Sequence, residues 1–179
     1  MRIFHASLLL FLSLPVAAEE QAHAVVATCA ETTLTVPGSG RLFKGVVKNE
    51  DYRFAAIIPN GHSAWDGVAD SAPFHGFTIF LDPEGSACID FKIGLRIDAE
   101  SVPEGLKGKG SIRLGKANAW QWMATESIDG KPVTNMTTLL THHFKNSVFD
   151  GEVRLISPKG QVKKYIAAYN SFVQSLRFY

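Results

Sequence analysis

Ile89, Phe91, Ile93, Leu95 and Ile97 recur at every second position, and Cys88, Asp90, Lys92 and Gly94 fill places between them. An apolar residue at every other step is the pattern of a β-strand with one face buried. This stretch, Cys88 to Ile97, commits the chain to a sheet whose one side must be covered. The cover is legible near the C terminus. Val162, Tyr165, Ile166, Tyr169, Phe172, Val173 and Leu176 follow spacings of three, four and seven, which line one stripe of a helix. Ser157 and Pro158 precede that stripe and predict a cap followed by a helix-starting proline.

The remaining strand signals are shorter. Asp51 to Ile58 alternates Tyr52, Phe54, Ala56 and Ile58 to one face and stops at Pro59-Asn60-Gly61. Phe74 to Leu81 is a second strand, closed by the turn Asp82-Pro83-Glu84-Gly85. Asn118 to Ile128 and Val133 to Phe144 flank Asp129-Gly130, a strong two-residue hairpin signal, and Met136, Leu140 and Phe144 share one face. Lys145-Asn146 turns the chain into Val148 to Ile156. Glu31 to Val36 looks extended before the turn cluster Pro37 to Gly40, whereas Ala64 to Ala72 and Pro103 to Gly110 read as loops. Strands joined by tight turns, then one helix, predict an α+β fold. It is an antiparallel sheet of about six strands with a C-terminal amphipathic helix packed on one face.

Residues 1–18 are expected to be a signal peptide and 19–179 a single domain. Arg2 precedes an apolar run from Leu8 to Leu14, and Val16-Ala17-Ala18 offers a small-residue cut. The run is shorter than the roughly 20 residues that span a bilayer. A second cut, after Ala24, is also compatible. Export implies a periplasmic or secreted protein with no membrane span. Removing Arg2 leaves seventeen basic residues against the seventeen acidic ones, so no basic excess points to nucleic acid. The chain's two cysteines, Cys29 and Cys88, are expected to form a disulfide, because an exported protein meets an oxidising compartment. Such a bridge closes a loop of about 60 residues, worth roughly 4 kcal/mol as a chain constraint.

Asn49-Glu50-Asp51-Tyr52-Arg53-Phe54, followed by Ile57-Ile58-Pro59-Asn60-Gly61, resembles the opening segment of PsbP-type domains. The ending Tyr169 to Phe178, with Asn170-Ser171-Phe172-Val173-Gln174-Ser175-Leu176-Arg177-Phe178, resembles their closing helix. The likeness is confined to these two ends, and His62 stands where the aromatic residue after the glycine is usual. The resemblance implies an α/β/α sandwich around an antiparallel sheet and a non-enzymatic accessory role in an envelope or photosynthetic membrane.

Several residues invite chemistry. Gly61-His62-Ser63-Ala64-Trp65 nearly spells a nucleophile elbow, but Trp65 replaces the second glycine and no helical pattern follows. A serine hydrolase would combine Ser63 with His75 and Asp66 or Asp70. His142 and His143 are adjacent on a strand and point to opposite faces, and no histidine or cysteine spacing matches a zinc site. No metal and no cofactor are expected. Lys107-Gly108-Lys109-Gly110-Ser111 lacks the ending of a phosphate loop. The carboxylate pairs Asp66 with Asp70 and Asp82 with Glu84 read as solvated loop acids. Trp120 and Trp122 share one face with Ala124. They are expected to fill the layer under the helix, the alternative being a platform for a sugar ring or a partner protein. Trp65 is expected in a polar loop with no core to enter.

These signals favour an exported non-catalytic binding protein with a protein partner, such as an inhibitor or immunity-type protein against an envelope-acting enzyme. Its candidate binding residues are His62, Trp65 and Asp66, with Lys107 and Lys109 as a second rim. The alternatives are the Ser63 hydrolase and a small-ligand carrier with a cavity between sheet and helix, lined by Trp120 and Trp122.

Overall fold

The computed structural model of the chain describes residues 26–29, 32–35, 42–65, 75–82, 85–95, 112–128 and 130–179. The expected signal segment, the turn at residues 37–40, the loop acids Asp66 and Asp70 and the Lys107–Lys109 loop lie outside them.

β8 (Cys88–Leu95) is the strand that the alternation predicted, and Ile89, Phe91 and Ile93 are fully buried. It pairs antiparallel with β7 (His75–Phe80) on one side and with β12 (Ser147–Pro158) on the other. β12 continues through β11 (Lys131–Phe144) to β10 (Ala117–Ile128) and β9 (Ile112–Leu114). β7 continues through β6 (Ser63–Trp65) to β3 (Leu42–Phe43). The result is an eight-stranded antiparallel sheet of order β3-β6-β7-β8-β12-β11-β10-β9. A three-stranded sheet, β13-β5-β4, joins β4 (Val46–Asn49), β5 (Phe54–Ile57) and β13 (Arg177–Phe178). β1 (Val26–Cys29) and β2 (Thr32–Thr35) form a separate hairpin, of which the backbone alone is described.

The α+β class holds, but the expectation of about six strands is corrected to thirteen among the described residues. The additional strands are short, two to four residues each. Segments of that length hold too few alternations for a period to show.

α1 (Val162–Ser175) lies on one face of the large sheet, as its apolar stripe predicted. Tyr165, Tyr169, Phe172, Val173 and Leu176 enter the same core as Phe77, Ile79, Phe91 and Val153. Phe172 meets Phe77 edge-on at 5.7 Å and Phe91 at 5.9 Å. The helix start is a correction. Ser157 and Pro158 end β12, where the Ser157 hydroxyl donates to the Thr134 carbonyl. Gln161 holds the N-cap position and makes no side-chain capping bond.

The small sheet covers the same face beside the helix. Phe54 packs edge-on against Phe91 at 5.1 Å, and Ser175 Oγ receives the Ile57 amide. β13 pairs with β5, Phe178 opposite Phe54, so the two segments that resemble PsbP-type domains are joined in space. The second helical layer of the sandwich implied by that resemblance is not among the described residues, which hold one α-helix.

Tight turns sit where glycine or turn residues predicted them. Ile128 pairs with Lys131 around Gly130 at φ 75°, the left-handed conformation such a two-residue loop demands. Asp82 closes its turn by accepting the Ser86 amide at 3.0 Å, the Ser86 hydroxyl at 2.8 Å and the Ala87 amide at 3.1 Å. It also accepts the Tyr165 hydroxyl at 3.0 Å, which fastens this turn to the helix.

Candidate functional site

Residues directly opposite across neighbouring strands share a sheet face. One such row on the face away from the helix runs Trp65, Thr78, Asp90, Arg154, Thr137, Trp122, from β6 to β10. The row on one side of it reads Gly76, Lys92, Glu152, Leu139, Trp120. The row on the other reads Ser63, Phe80, Cys88, Ile156, Asn135, Ala124. This face therefore mixes aromatic, charged and amide groups, whereas the face toward the helix is built from Ile79, Ile89, Leu155, Phe77, Phe91 and Val153.

The charges are arranged in pairs. Arg154 reaches Glu126 at 3.3 Å and Glu152 at 3.5 Å, and Lys92 reaches Asp90 at 3.1 Å. Thr78 donates to Asp90 at 3.0 Å, and Thr141 donates to Asp150 at 2.7 Å. Asn135 is 1% exposed, and neither its amide nitrogen nor its amide oxygen has a hydrogen-bond partner. A buried amide left unpaired costs roughly 1–3 kcal/mol, so this one has a fold-independent reason to look for.

Trp120 and Trp122 are half-buried on this outer face. Their expected place under the helix is corrected. Gln121, between them, faces the helix and donates to Thr138 Oγ1 at 3.0 Å, and Thr138 bonds the Tyr169 hydroxyl at 2.6 Å. Among the described residues, Trp120 and Trp122 therefore do not line a layer between sheet and helix. Aromatic and aliphatic side chains of the core occupy that layer.

Trp65 is not a loop residue. It belongs to β6, opposite Thr78, and is 2% exposed, with its indole Nε1 unpartnered. His62, half-buried, shares its Nδ1 with the Phe80 carbonyl at 3.1 Å, which ties the turn to β7. Gly61 has φ 83°, and the His62 amide returns to the Pro59 carbonyl at 3.1 Å. This is a tight turn between strands, not the strand-to-helix bend that lifts a nucleophilic serine. Ser63 lies opposite Phe80, whereas His75 is five positions further along β7, about 17 Å at strand rise. The Ser63–His75 pairing is thus corrected. Asp66, Asp70, Lys107 and Lys109 lie outside the described residues.

His142 and His143 do take opposite faces: His143 is exposed and His142 is 1% exposed. His142 stacks near Phe149 and Phe144 at 6.5 Å each and meets Phe178 at 4.9 Å, and neither ring nitrogen has a partner. Burial first, then the charges of Lys116 and His143, hold its imidazole below the ordinary value of 6.5. Among the described residues no group of three metal-ligating side chains assembles. Cys88 is fully buried and no described cysteine is free, while the Cys29 side chain lies outside the described residues.

The orphan Asn135 amide and the outer placement of both indoles were not legible in the sequence. Alternation groups Trp120 with Trp122 but does not say which side of the sheet the group takes. The usable signal lay one residue away, in the helix-facing set Ala117, Ala119 and Gln121, whose alanines are fully buried.

No family model matches the chain, and no curated protein matches it in sequence. Several solved structures resemble the chain to different degrees. A Bacteroides thetaiotaomicron protein shares 12% identity at a TM-score of 0.50, over 76% of this chain and 48% of that one. The chain thus spans about half the length of that protein, 48%. LpqN of Mycobacterium tuberculosis, described as involved in cell envelope biogenesis, shares 13% identity at a TM-score of 0.41, over 79% of this chain and 84% of LpqN. The cyanobacterial PsbP protein CyanoP of Synechocystis shares 9% identity at a TM-score of 0.39, over 86% of this chain and 99% of CyanoP. At such identities the Bacteroides likeness bears on the fold alone, and the two weaker ones decide nothing about function.

Proposed function

We propose that this chain is an exported, non-catalytic binding protein whose recognition surface is the sheet face opposite α1. The observation that carries the reading is the concentration there of half-buried Trp120 and Trp122 beside Arg154, Glu126, Glu152, Asp90 and Lys92. Tryptophan and arginine dominate the energetics of protein recognition when they sit together in a partly desolvated patch. A protein of the envelope is the partner class, an inhibitor or immunity-type role being one version of it. Asp66, next to Trp65 in the chain, and Lys107 and Lys109 are proposed as rim residues. A Cys29–Cys88 bridge is proposed to tie β1 to the sheet. A second reading, small-ligand binding, moves from the sheet–helix layer to this same outer face, favoured by the unpaired Asn135 amide.

The test is an affinity capture from an envelope extract with the oxidised chain from residue 19 as bait. Trp120→Ala, Trp122→Ala and Arg154→Ala should each lose the captured protein, while Met123→Ala, exposed on the helix side, should keep it. Equal capture by all five baits would remove the outer face from consideration.

A further inference from the structure

We infer that the outer face contains a saccharide subsite, floored by Trp120 and Trp122 and read by the side chains of Asn135, Arg154 and Glu126. The inference rests on this face being the recognition surface and deepens the second reading, small-ligand binding, by naming the ligand class.

The subsite follows from the register of three strands. Arg154 on β12 stands opposite Thr137, and Glu126 on β10 stands opposite Val133. Their 3.3 Å ion pair therefore crosses β11 between these two positions, over Asn135. Asn135 has Ala124 on one side and Ile156 on the other. Its own flanks thus offer it no hydrogen-bonding side chain, and both of its polar atoms stay unpaired. Asn135 is 1% exposed, so its amide is reached only when the cover over it opens. Trp122 follows, two residues from Ala124 on the same face, and Trp120 two further, each step about 6.8 Å at strand rise.

These groups match one ligand class. A pyranose ring presents an apolar face of C–H bonds, which stacks on an indole, and a rim of hydroxyls, each both donor and acceptor. The Asn135 amide offers one donor group and one acceptor side by side. Arg154 adds donors and Glu126 adds acceptors, so neighbouring hydroxyls can be read together. The cations Arg154 and Lys92 already sit against carboxylates, a poor setting for a phosphate and a suitable one for a neutral ring. Two indoles two residues apart on one strand favour at least a disaccharide. Glu126 is the more exposed member of the ion pair, with 45% of its side chain accessible against 18% for Arg154, so it is the side that opens when a ring enters.

The experiment uses the oxidised chain from residue 19. Its Trp indole and Asn side-chain NH resonances are followed while cellobiose, maltose and diacetylchitobiose are added. A parallel sedimentation assay uses insoluble cellulose, chitin and peptidoglycan. The expected result is movement of the Trp120, Trp122 and Asn135 signals with a soluble sugar, or co-sedimentation with a polymer, the two arms separating free sugar from polymer as the source. Asn135→Leu should weaken that binding at least about ten-fold and leave the urea midpoint unchanged or higher. An amide kept for the fold gives the opposite result, a lower midpoint in Asn135→Leu, and that outcome overturns the inference. Absence of any response in both arms overturns it as well. In that case, protein capture that still depends on Trp120 and Trp122 leaves the recognition face standing and removes only the saccharide.

Discussion

Trp65 shows how a single residue can be misplaced by its neighbourhood. The segment after it is small and polar, which reads as loop, and a strand of three residues is too short to announce itself by alternation. Only pairing with Leu42 of β3 and Thr78 of β7, together with its 2% exposure, reveals that the indole is buried, on the sheet face away from α1. The consequence is energetic. Trp65→Ala should cost about 3–5 kcal/mol, the range for removing a buried large aromatic. Trp65→Phe should cost clearly less, because it keeps most of the volume and removes an indole N–H that has no partner. Urea denaturation of both variants checks the order. A Trp65→Ala cost within 0.5 kcal/mol of zero, roughly the scale of a surface substitution, would return this residue to the surface. The same burial makes Trp65→Ala a poor binding probe, since lost capture would reflect lost fold.

At the scale of elements, the helix was legible because seven apolar residues keep one stripe over four turns, and no strand reading fits that spacing. Its start was not legible. Ser157 and Pro158 carry helix-start chemistry, yet β12 pairs with Val133 and Thr134 as far as those residues, and ladder pairing overrides local preference. What docks the helix was equally hidden, because it depends on three elements at once. The Tyr169 hydroxyl bonds Thr138 on β11 at 2.6 Å and the Val153 carbonyl on β12 at 3.3 Å, and Gln121 on β10 donates to the same Thr138 oxygen. Burial, only partly offset by these bonds, pushes the Tyr169 hydroxyl up to about 12, so it stays protonated through the physiological range. Tyr169→Phe leaves the ring packing in place and strips the hydroxyl from Thr138. A loss of about 1–2 kcal/mol is expected, read as a lower thermal midpoint with the fold unchanged by circular dichroism. No change in midpoint would mean that the hydroxyl chain contributes nothing to docking.

Among the described residues, two groups that the packing treats oppositely make the stability of the molecule respond to acid. His142 sits between Phe144, Phe149 and Phe178, so it joins β11 and β12 to the C-terminal strand. The charged or basic groups around this cage are Lys116, His143, Arg53 over the Phe144 ring at 4.8 Å and Lys145 over it at 5.4 Å. All oppose a second positive charge. The folded protein therefore refuses a proton that the unfolded chain accepts from pH 6.5 downward, and stability falls as pH drops from that value through the lower folded one. Asp82 acts the other way. Burial alone would raise its carboxyl, but hydrogen bonds from Ser86, Tyr165 and Ala87 outweigh this and hold it below 3.8. Its contribution is present above that value and is lost as pH falls through the folded one. Stability measured from pH 8 to pH 2 should therefore decline in two stages, one opening near 6.5 and one below 3.8. His142→Phe fills the same aromatic cage without a titrating group and should flatten the upper stage alone. Asp82→Asn should flatten the lower stage, at the cost of a weaker turn at every pH. If the upper stage persists unchanged in His142→Phe, protonation elsewhere governs it, and the bond between β13 and the sheet is indifferent to mild acid.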